Sequence, residues 1–456
     1  MTNKISRKTF LKQFSLLSLG FMGFYNMLSA AEKGLNVLSD KVSLITDNRG
    51  VLKLVKGFRY HIISEKGNIM SDDLPVPNNA DGMASFKGKN GKIILIRNHE
   101  IGYFHKLGKL LQLNPLIDHK NFISKNKNNI YDLGKNNKKP CSGGTTTIVY
   151  NPKTKTVDKE YLSLAGTLVN CSGGPTPWGT WISCEETMNN KGDNGLQKNH
   201  GYNFEVIPNE NIKLNKAVPL KAMGRFRHEA VAIDPKTNIA YQTEDRDDGL
   251  IYRYIPDNLK RYGLTGKLQA IAIRNLNSND TRNWKSQTIK QGKQYYAEWI
   301  DIDNINQDKD NLRYKGKDKG ASIFARPEGM WYDNDEVYFT CTSGGPNKIG
   351  QIWKYNISNH SIKLLFESTN SALMKKCDNI TISPWGDIII CEDGKGVDRL
   401  IGVKPNGNTY IIAENAFNTS EFAGVNFSPD GKILFVNIYS PTMTLAIEGP
   451  WETFQI

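Results

Sequence analysis

Residues 170–186, NCSGGPTPWGTWISCEE, set two cysteines and two adjacent glutamates into a stretch stiffened by two prolines and two tryptophans. A thiolate and carboxylates brought to one end of a hairpin are donors for a metal ion. The sulfur would favour iron or zinc over a hard cation such as calcium. A Cys171–Cys184 disulfide and two unrelated buried thiols are the competing readings of the same residues.

Related stretches recur along the chain: DGMASFKGKNGKIILIRNHE (81–100), HEAVAIDPKTNIAYQTED (228–245), PEGMWYDNDEVYFTCT (327–342), CDNITISPWGDIIICED (377–393) and EFAGVNFSPDGKILFVNI (421–438). With TPWGTWISCEE as a compressed copy, there are six. Each holds a short apolar strand, a turn rich in Asp, Asn, Pro or Gly, and a second strand that usually ends in acid. A hairpin of this length returns its last residue to the rim where its first began. The leading acids are Asp81, Glu229, Glu328, Asp378 and Glu421, and the trailing acids are Glu100, Glu186, Asp245 and Glu392 or Asp393. About nine carboxylates at one mouth repel one another unless cations fill the space between them. The metal ligands expected are therefore Cys171, Glu186, Glu229, Asp245, Glu328, Asp378, Glu392, Glu100 and Glu421.

Cys184, Cys341 and Cys391 read as equivalent, separately packed thiols in their second strands. Anion-binding groups lie beside the same mouth. Arg326 precedes Pro327 and Glu328, RNHE offers Arg97, Asn98 and His99, and RFRHE offers His228. All five are expected to contact an anionic substrate, with Arg326 the leading candidate, because arginine binds phosphate oxygens in pairs.

The elements that must position these residues are strands. Further strand-like runs follow most copies, such as GQIWKYNIS and SIKLLFES after the fourth. Four short strands per unit, six times over, predict an all-β, six-bladed β-propeller in a single domain over residues 42–456. The last unit is a strand short. GFRYHIIS (57–64) is expected to complete it and close the ring against residues 442–448. Two segments break the rhythm as flap insertions, near 104–140 and 257–324, the second with a candidate strand at LQAIAI.

The chain has 456 residues, 39% of them hydrophobic and 23% charged, an ordinary globular balance. Its formal net charge is +13, of which Lys4, Arg7, Lys8 and Lys12 supply four, leaving +9 beyond residue 31. That charge favours small anionic partners, and no zinc-finger or recognition-helix motif points to specific nucleic-acid binding. Residues 6–31, SRKTFLKQFSLLSLGFMGFYNMLSAA, have the basic start, apolar run and small-residue end of an export signal, with a twin-arginine-like SRKTFLK in which Lys8 replaces the second arginine. The expected chain, after passing the export machinery, is a periplasmic or extracellular monomer.

Together, NCSGGPTPWGTWISCEE, GRFRHEAVAIDP, TEDRDDGLIYRYIP, ARPEGMWYD and EFAGVNFSPDGKILFVN resemble the PhoX-type alkaline phosphatase family, in the expected order from about residue 75 to the end. The resemblance implies a six-bladed propeller holding ferric and calcium ions, Fe(III) and Ca2+, that hydrolyses phosphate monoesters after twin-arginine export. On matching motifs it implies that Cys171 ligates iron, that Glu229 and Glu328 ligate metal, and that Arg326 binds the substrate phosphate. Glu186 and Asp245 would be further ligands. Arg326, Glu328 and Glu229 are thus the residues expected to carry catalysis. A calcium-dependent propeller lactonase or esterase, and a non-catalytic propeller braced by ions, are the rival readings.

Overall fold

The computed structural model of the protein describes residues 43–47, 49–102, 120–137 and 139–451. The expected export segment and residues 104–119 of the first insertion lie outside the described residues. Three strands come first: β1 (Leu44–Thr46), β2 (Leu52–Val55) and β3 (Arg59–Glu65). A four-stranded sheet follows, with β4 (Ala80–Lys87), β5 (Ile93–His99), β6 (Gly143–Asn151) and β7 (Thr156–Thr167). A three-stranded sheet holds β8 (Asn170–Pro175), β9 (Trp181–Glu185) and β10 (Asn203–Val206).

The next two runs share one nine-stranded sheet. They are β11 (His228–Ile233), β12 (Ala240–Glu244), β13 (Ile251–Pro256), β14 (Gly266–Ile273) and β15 (Gln294–Asp301), then β16 (Pro327–Asp333), β17 (Glu336–Cys341), β18 (Gln351–Asn356) and β19 (Ser361–Glu367). The fifth run, β20 (Cys377–Ile382), β21 (Ile388–Glu392), β22 (Arg399–Val403) and β23 (Thr409–Asn415), gains β2 and β1 at its outer edge. The last holds β24 (Phe422–Phe427), β25 (Ile433–Ile438) and β26 (Met443–Glu448), with β3 as its fourth strand.

The arrangement is all-β and propeller-like, in five sheets rather than separate four-stranded ones. The difference has a local cause. β15 pairs with β14 through Gln269↔Asp301 to Ile273↔Ala297 and with β19 through Gln294↔Lys363, welding two neighbouring meanders together. The segment read as an insertion over 257–324 thus contains two strands, and LQAIAI lies in β14. The expected closure is present: β3 runs antiparallel to β26 from Glu65↔Met443 to Arg59↔Glu448. The sequence reading did not foresee β2, which covers β23 through Leu52↔Asn415.

The first strands of the meanders touch in cyclic order, β4 to β8, β11, β16, β20, β24 and back to β4. They approach closely because small residues stand at the contacts. A Cβ on Gly82 would lie 2.5 Å from Ser172 Cα, and one on Gly329 2.5 Å from the Asp378 carbonyl oxygen. Every first strand also carries a bulge, in the intervals Ala80/Met83, Asn170/Gly173, His228/Val231, Pro327/Met330, Cys377/Ile380 and Ala423/Asn426. A bulge re-aims a side chain that regular pleating would place on a sheet face. Beneath the bulges the channel narrows to a cavity of about 20 Å³ lined by Met83, Trp181, Met330 and Trp331 among others.

Ile62→Pro tests the closure. It removes an N–H and kinks β3 opposite Leu445, uncovering the β26 edge. The variant should melt earlier than the wild type and scatter light on heating. An unchanged melt would show that the β3 pairing contributes nothing to holding the ring.

Candidate metal centre

One backbone contact recurs in all six units. The N–H of the residue after each second strand donates to the carbonyl of the residue that leads into the first. The pairs are Glu100 to Asn79 (2.9 Å), Glu186 to Val169 (2.8 Å), Asp245 to Arg227 (3.3 Å), Thr342 to Arg326 (3.0 Å), Asp393 to Lys376 (2.9 Å) and Tyr439 to Glu421 (3.1 Å). This bond fixes the register of each mouth and defines three rings of side chains. The leading ring is Asn79, Val169, Arg227, Arg326, Lys376 and Glu421. The trailing ring is Glu100, Glu186, Asp245, Thr342, Asp393 and Tyr439. Two residues after each leading residue stand Asp81, Cys171, Glu229, Glu328, Asp378 and Ala423. The first five of these open their bulges.

Four members of the leading ring hold left-handed backbone: Asn79 at φ 55°, Val169 at 50°, Arg326 at 49° and Lys376 at 48°. For Val169, which is β-branched, and for Arg326, which precedes proline, that conformation is strained. Left-handed backbone at the same place in four units, strained in two of them, persists where the surrounding structure over-determines it.

The bulge and trailing residues meet in overlapping trios. Asp81, Glu100 and Cys171 form one, then Cys171, Glu186 and Glu229, then Glu229, Glu328 and Asp378, then Asp378, Asp393 and Glu421. Within each trio the donor atoms lie within 4.8 Å of one another. The Cys171 thiol points at Asp81 Oδ2 at 3.5 Å. Asp81 Oδ1 and both oxygens of Glu229 are buried with no hydrogen-bond partner among the described residues. Arg326 donates from Nε and Nη2 to the two oxygens of Asp245, each at 2.9 Å. Its Nη2 also lies 2.6 Å from Glu328 Oε1, without hydrogen-bond alignment. Arg227 holds Glu186, and Tyr439 donates to Glu100 at 2.6 Å.

Crowding shows in the protonation of these groups. Burial, then Asp245, pushes Glu186 up to about 8, and burial, then Asp393, pushes Asp378 up to about 7. Burial and neighbouring carboxylates likewise hold Asp81, Glu229, Glu328 and Glu421 well above the usual range, and the Cys171 thiol with them. Orphaned buried oxygens and mutually repelling acids are an arrangement that a bound cation would relieve. The donor set fits two kinds of ion: a sulfur-containing end suited to iron, and an oxygen-only end suited to calcium.

The sequence model of the family described as alkaline phosphatase PhoX matches residues 40–442. The chain belongs to that family. No curated protein matches it. Among solved structures it is similar to a putative gluconolactonase (8% identity, TM-score 0.42, covering 90% of this chain and 97% of that one). A gluconolactonase of Xanthomonas campestris is similar too (9%, 0.43, 90% and 95%), as is a protein of unknown function from Dyadobacter fermentans (12%, 0.44, 87% and 100%). Likeness that remote carries no argument about activity.

Within this PhoX-family cup, several residues picked from sequence do other work. Glu392 ends β21 and faces the opposite side from Asp393. It is held by Arg399 at 2.7 Å to both oxygens and by the Lys375 N–H at 2.8 Å, so Asp393 takes the rim position. Arg97 is fully buried, donating to Glu160 at 2.9 Å and to Ser64, Thr146 and Thr444. His99 is buried against the Asn78 carbonyl and Thr146. His228 stacks on Phe226 at 3.6 Å, its Nε2 contacts the Gly224 carbonyl at 3.1 Å, and burial lowers its pKa to about 3. Asn98 braces the thiol bulge: its amide donates to the carbonyls of Cys171 (3.2 Å) and Ser172 (2.6 Å) while its oxygen accepts from Trp181. Arg97, Asn98, His99 and His228 hydrogen-bond to none of the rim or bulge side chains.

All six cysteines are free and buried, so Cys171 and Cys184 form no bridge. Cys184 and Cys391 lie opposite their bulges, whereas Cys341 is one residue later, paired with Pro327. The sequence reading missed Arg227, Lys376 and Tyr439. Counting two residues back from each bulge acid would have found the first two.

The sign of the pH response follows from the raised acids. The folded chain binds their protons more tightly than the unfolded chain does. For Glu186 the resulting penalty is absent below 4.5, grows as pH rises and is complete above about 8; for Asp378 it runs from 3.8 to about 7. With ions chelated, the melting temperature should fall as pH rises from about 4 to about 8. Restored cations should remove most of that fall. A chelated protein that gains stability across the window would contradict the picture of uncompensated carboxylates.

Proposed function

We propose that the protein is a metal-dependent phosphomonoesterase built on a six-bladed propeller, with the nine-stranded sheet read as two blades joined through β15. Family membership supports the reaction class. The cyclic contacts of the six first strands support the blade count. One observation carries the reading furthest: three neighbouring members of the leading ring, Arg227, Arg326 and Lys376, are cations two residues ahead of the bulge carboxylates Glu229, Glu328 and Asp378, with Arg326 reaching Glu328 and Asp245 and Arg227 reaching Glu186.

Ferric ion is assigned to the end containing Cys171 and Glu186, and calcium to the oxygen-only trios around Asp378, Asp393 and Glu421. Bound there, such ions supply Lewis-acid polarisation of the phosphoryl group and neutralise charge that develops on it. The chain's own part is orientation. Arg326 uses Nε and Nη2 on Asp245, which holds its guanidinium plane fixed and leaves Nη1 for a phosphate oxygen. Arg227 is held by Glu186, its Nε and Nη2 both donating to Oε1. Guanidinium groups anchored on carboxylates present their remaining donors without reorganising during the reaction. Small phosphate esters in a periplasmic or extracellular setting, met by a monomer exported through its N-terminal signal, complete the reading.

Two variants separate chemistry from metal binding. Arg326→Ala should keep its metals and lose roughly 100-fold or more in kcat/KM on a phosphate monoester. Glu328→Gln keeps the shape but loses a negative donor, so metal content, melting temperature and activity should fall together. The wild type is assayed in parallel on p-nitrophenyl phosphate and on a lactone, before and after chelation. Normal turnover by Arg326→Ala would remove the clamp, and lactone hydrolysis without phosphate release would remove the phosphatase.

A further inference from the structure

A second group of donors lies outside the cup. Asp132 and Cys141 belong to the segment between β5 and β6, and His200 to the loop between β9 and β10. All three side chains are buried, and their donor atoms lie within 4.8 Å of one another. His200 Nε2 is 3.3 Å from Asp132 Oδ2 and 3.8 Å from Cys141 Sγ.

The surroundings orient each donor. His200 Nδ1 is 2.6 Å from Glu185 Oε1. Glu185 is itself fixed by the backbone N–H groups of Leu168 (2.9 Å), Gly201 (2.8 Å) and Tyr202 (3.2 Å). A carboxylate on Nδ1 orients the ring and aims Nε2 at Asp132 and Cys141, as in carboxylate–histidine–metal sites. Asp132 is held by Gly134 N–H at 2.7 Å and by Gln197 and Lys198 N–H at 2.8 and 2.9 Å. The ring of Tyr131 packs edge-on to His200 at 5.2 Å and keeps the pocket apolar on that side.

The spacings, met here by direct contacts of 3.3 and 3.8 Å, also match those of donors arranged around one ion. Tetrahedral zinc, at about 2.0–2.1 Å from N and O and about 2.3 Å from S, separates N from O by about 3.3 Å and N from S by about 3.6 Å. We propose that Asp132, Cys141 and His200 bind a divalent transition metal of the zinc type, a site separate from the cations of the cup. Three protein donors leave one tetrahedral position for water. Binding displaces the thiol proton of Cys141, and any proton on Nε2, to solvent. The ion joins the segment ahead of β6 to the loop ahead of β10, and through Glu185 it steadies the strand that presents Glu186.

The test uses the full chain with Cys171→Ser, so that the rim thiol cannot report. Stripped of metal and reloaded with Co(II), this protein should retain a tightly held equivalent with thiolate-to-cobalt absorption in the near-ultraviolet and tetrahedral bands in the visible. Adding Cys141→Ser should abolish the near-ultraviolet band, and adding His200→Gln should weaken cobalt retention at least tenfold. Folding is followed by circular dichroism. Should either added change prevent folding, X-ray absorption on zinc-loaded Cys171→Ser protein decides, with one sulfur neighbour expected. A folded Cys171→Ser protein that shows neither the thiolate band nor a sulfur neighbour overturns the proposal.

Discussion

The whole cup hangs on one backbone hydrogen bond repeated six times, from the residue after each second strand to the carbonyl of the residue leading into the first. It holds the two ends of every hairpin in a single register, at 2.8 to 3.3 Å in all units. A slip by one residue would send every side chain at the mouth to the opposite face. Side chains as different as Asn79, Val169 and Arg326 sit at one ring position because the bond involves only main chain. Specific chemistry is thus written onto a mouth whose geometry is indifferent to it.

That geometry places like charges together, and the protein braces it from behind. Bulge carbonyls are held by side chains of the neighbouring unit: Asn98 on Cys171 and Ser172, Thr243 on Glu328 (2.6 Å), Thr340 on Asp378 (2.7 Å) and Asn437 on Asp81 (2.7 Å). Each is a neutral donor with its partner satisfied inside the ring, so the bulges stay in place while the carboxylates in front of them repel. The first acid of each Glu-Glu or Glu-Asp pair belongs to this bracing too. Glu185 ties down Gly201 and Tyr202, Glu244 accepts from Tyr252 at 2.9 Å, and Glu392 holds Arg399.

This explains which parts were legible in the sequence. The hairpin repeat, the strand that closes the ring and most rim acids showed through because a period and a residue type repeat together. The errors fall at single-residue choices. Glu392 and Asp393 are both acids, and only the bond from Asp393 N–H to Lys376 tells which one faces inward. Arg97, Asn98 and His99 look like substrate ligands beside Glu100, yet they are strand residues whose partners come from β6, β8 and β26, far away in sequence. The merging of two meanders through β15 had no signal at all, because an extra pairing at an outer edge needs no special residue.

The sixth unit departs from the others, and the departure gives the mouth a direction. Where five units offer Asp81, Cys171, Glu229, Glu328 or Asp378, this one has Ala423. Its acid, Glu421, comes instead from the leading ring and reaches Asp378 and Asp393 from outside. The leading ring is therefore cationic over three consecutive units, at Arg227, Arg326 and Lys376, and uncharged or acidic over the other three, at Glu421, Asn79 and Val169. On the phosphatase reading, a phosphate dianion finds its countercharges on the first arc. On the second arc Tyr439 accepts from Asn79 at 2.5 Å and donates to Glu100.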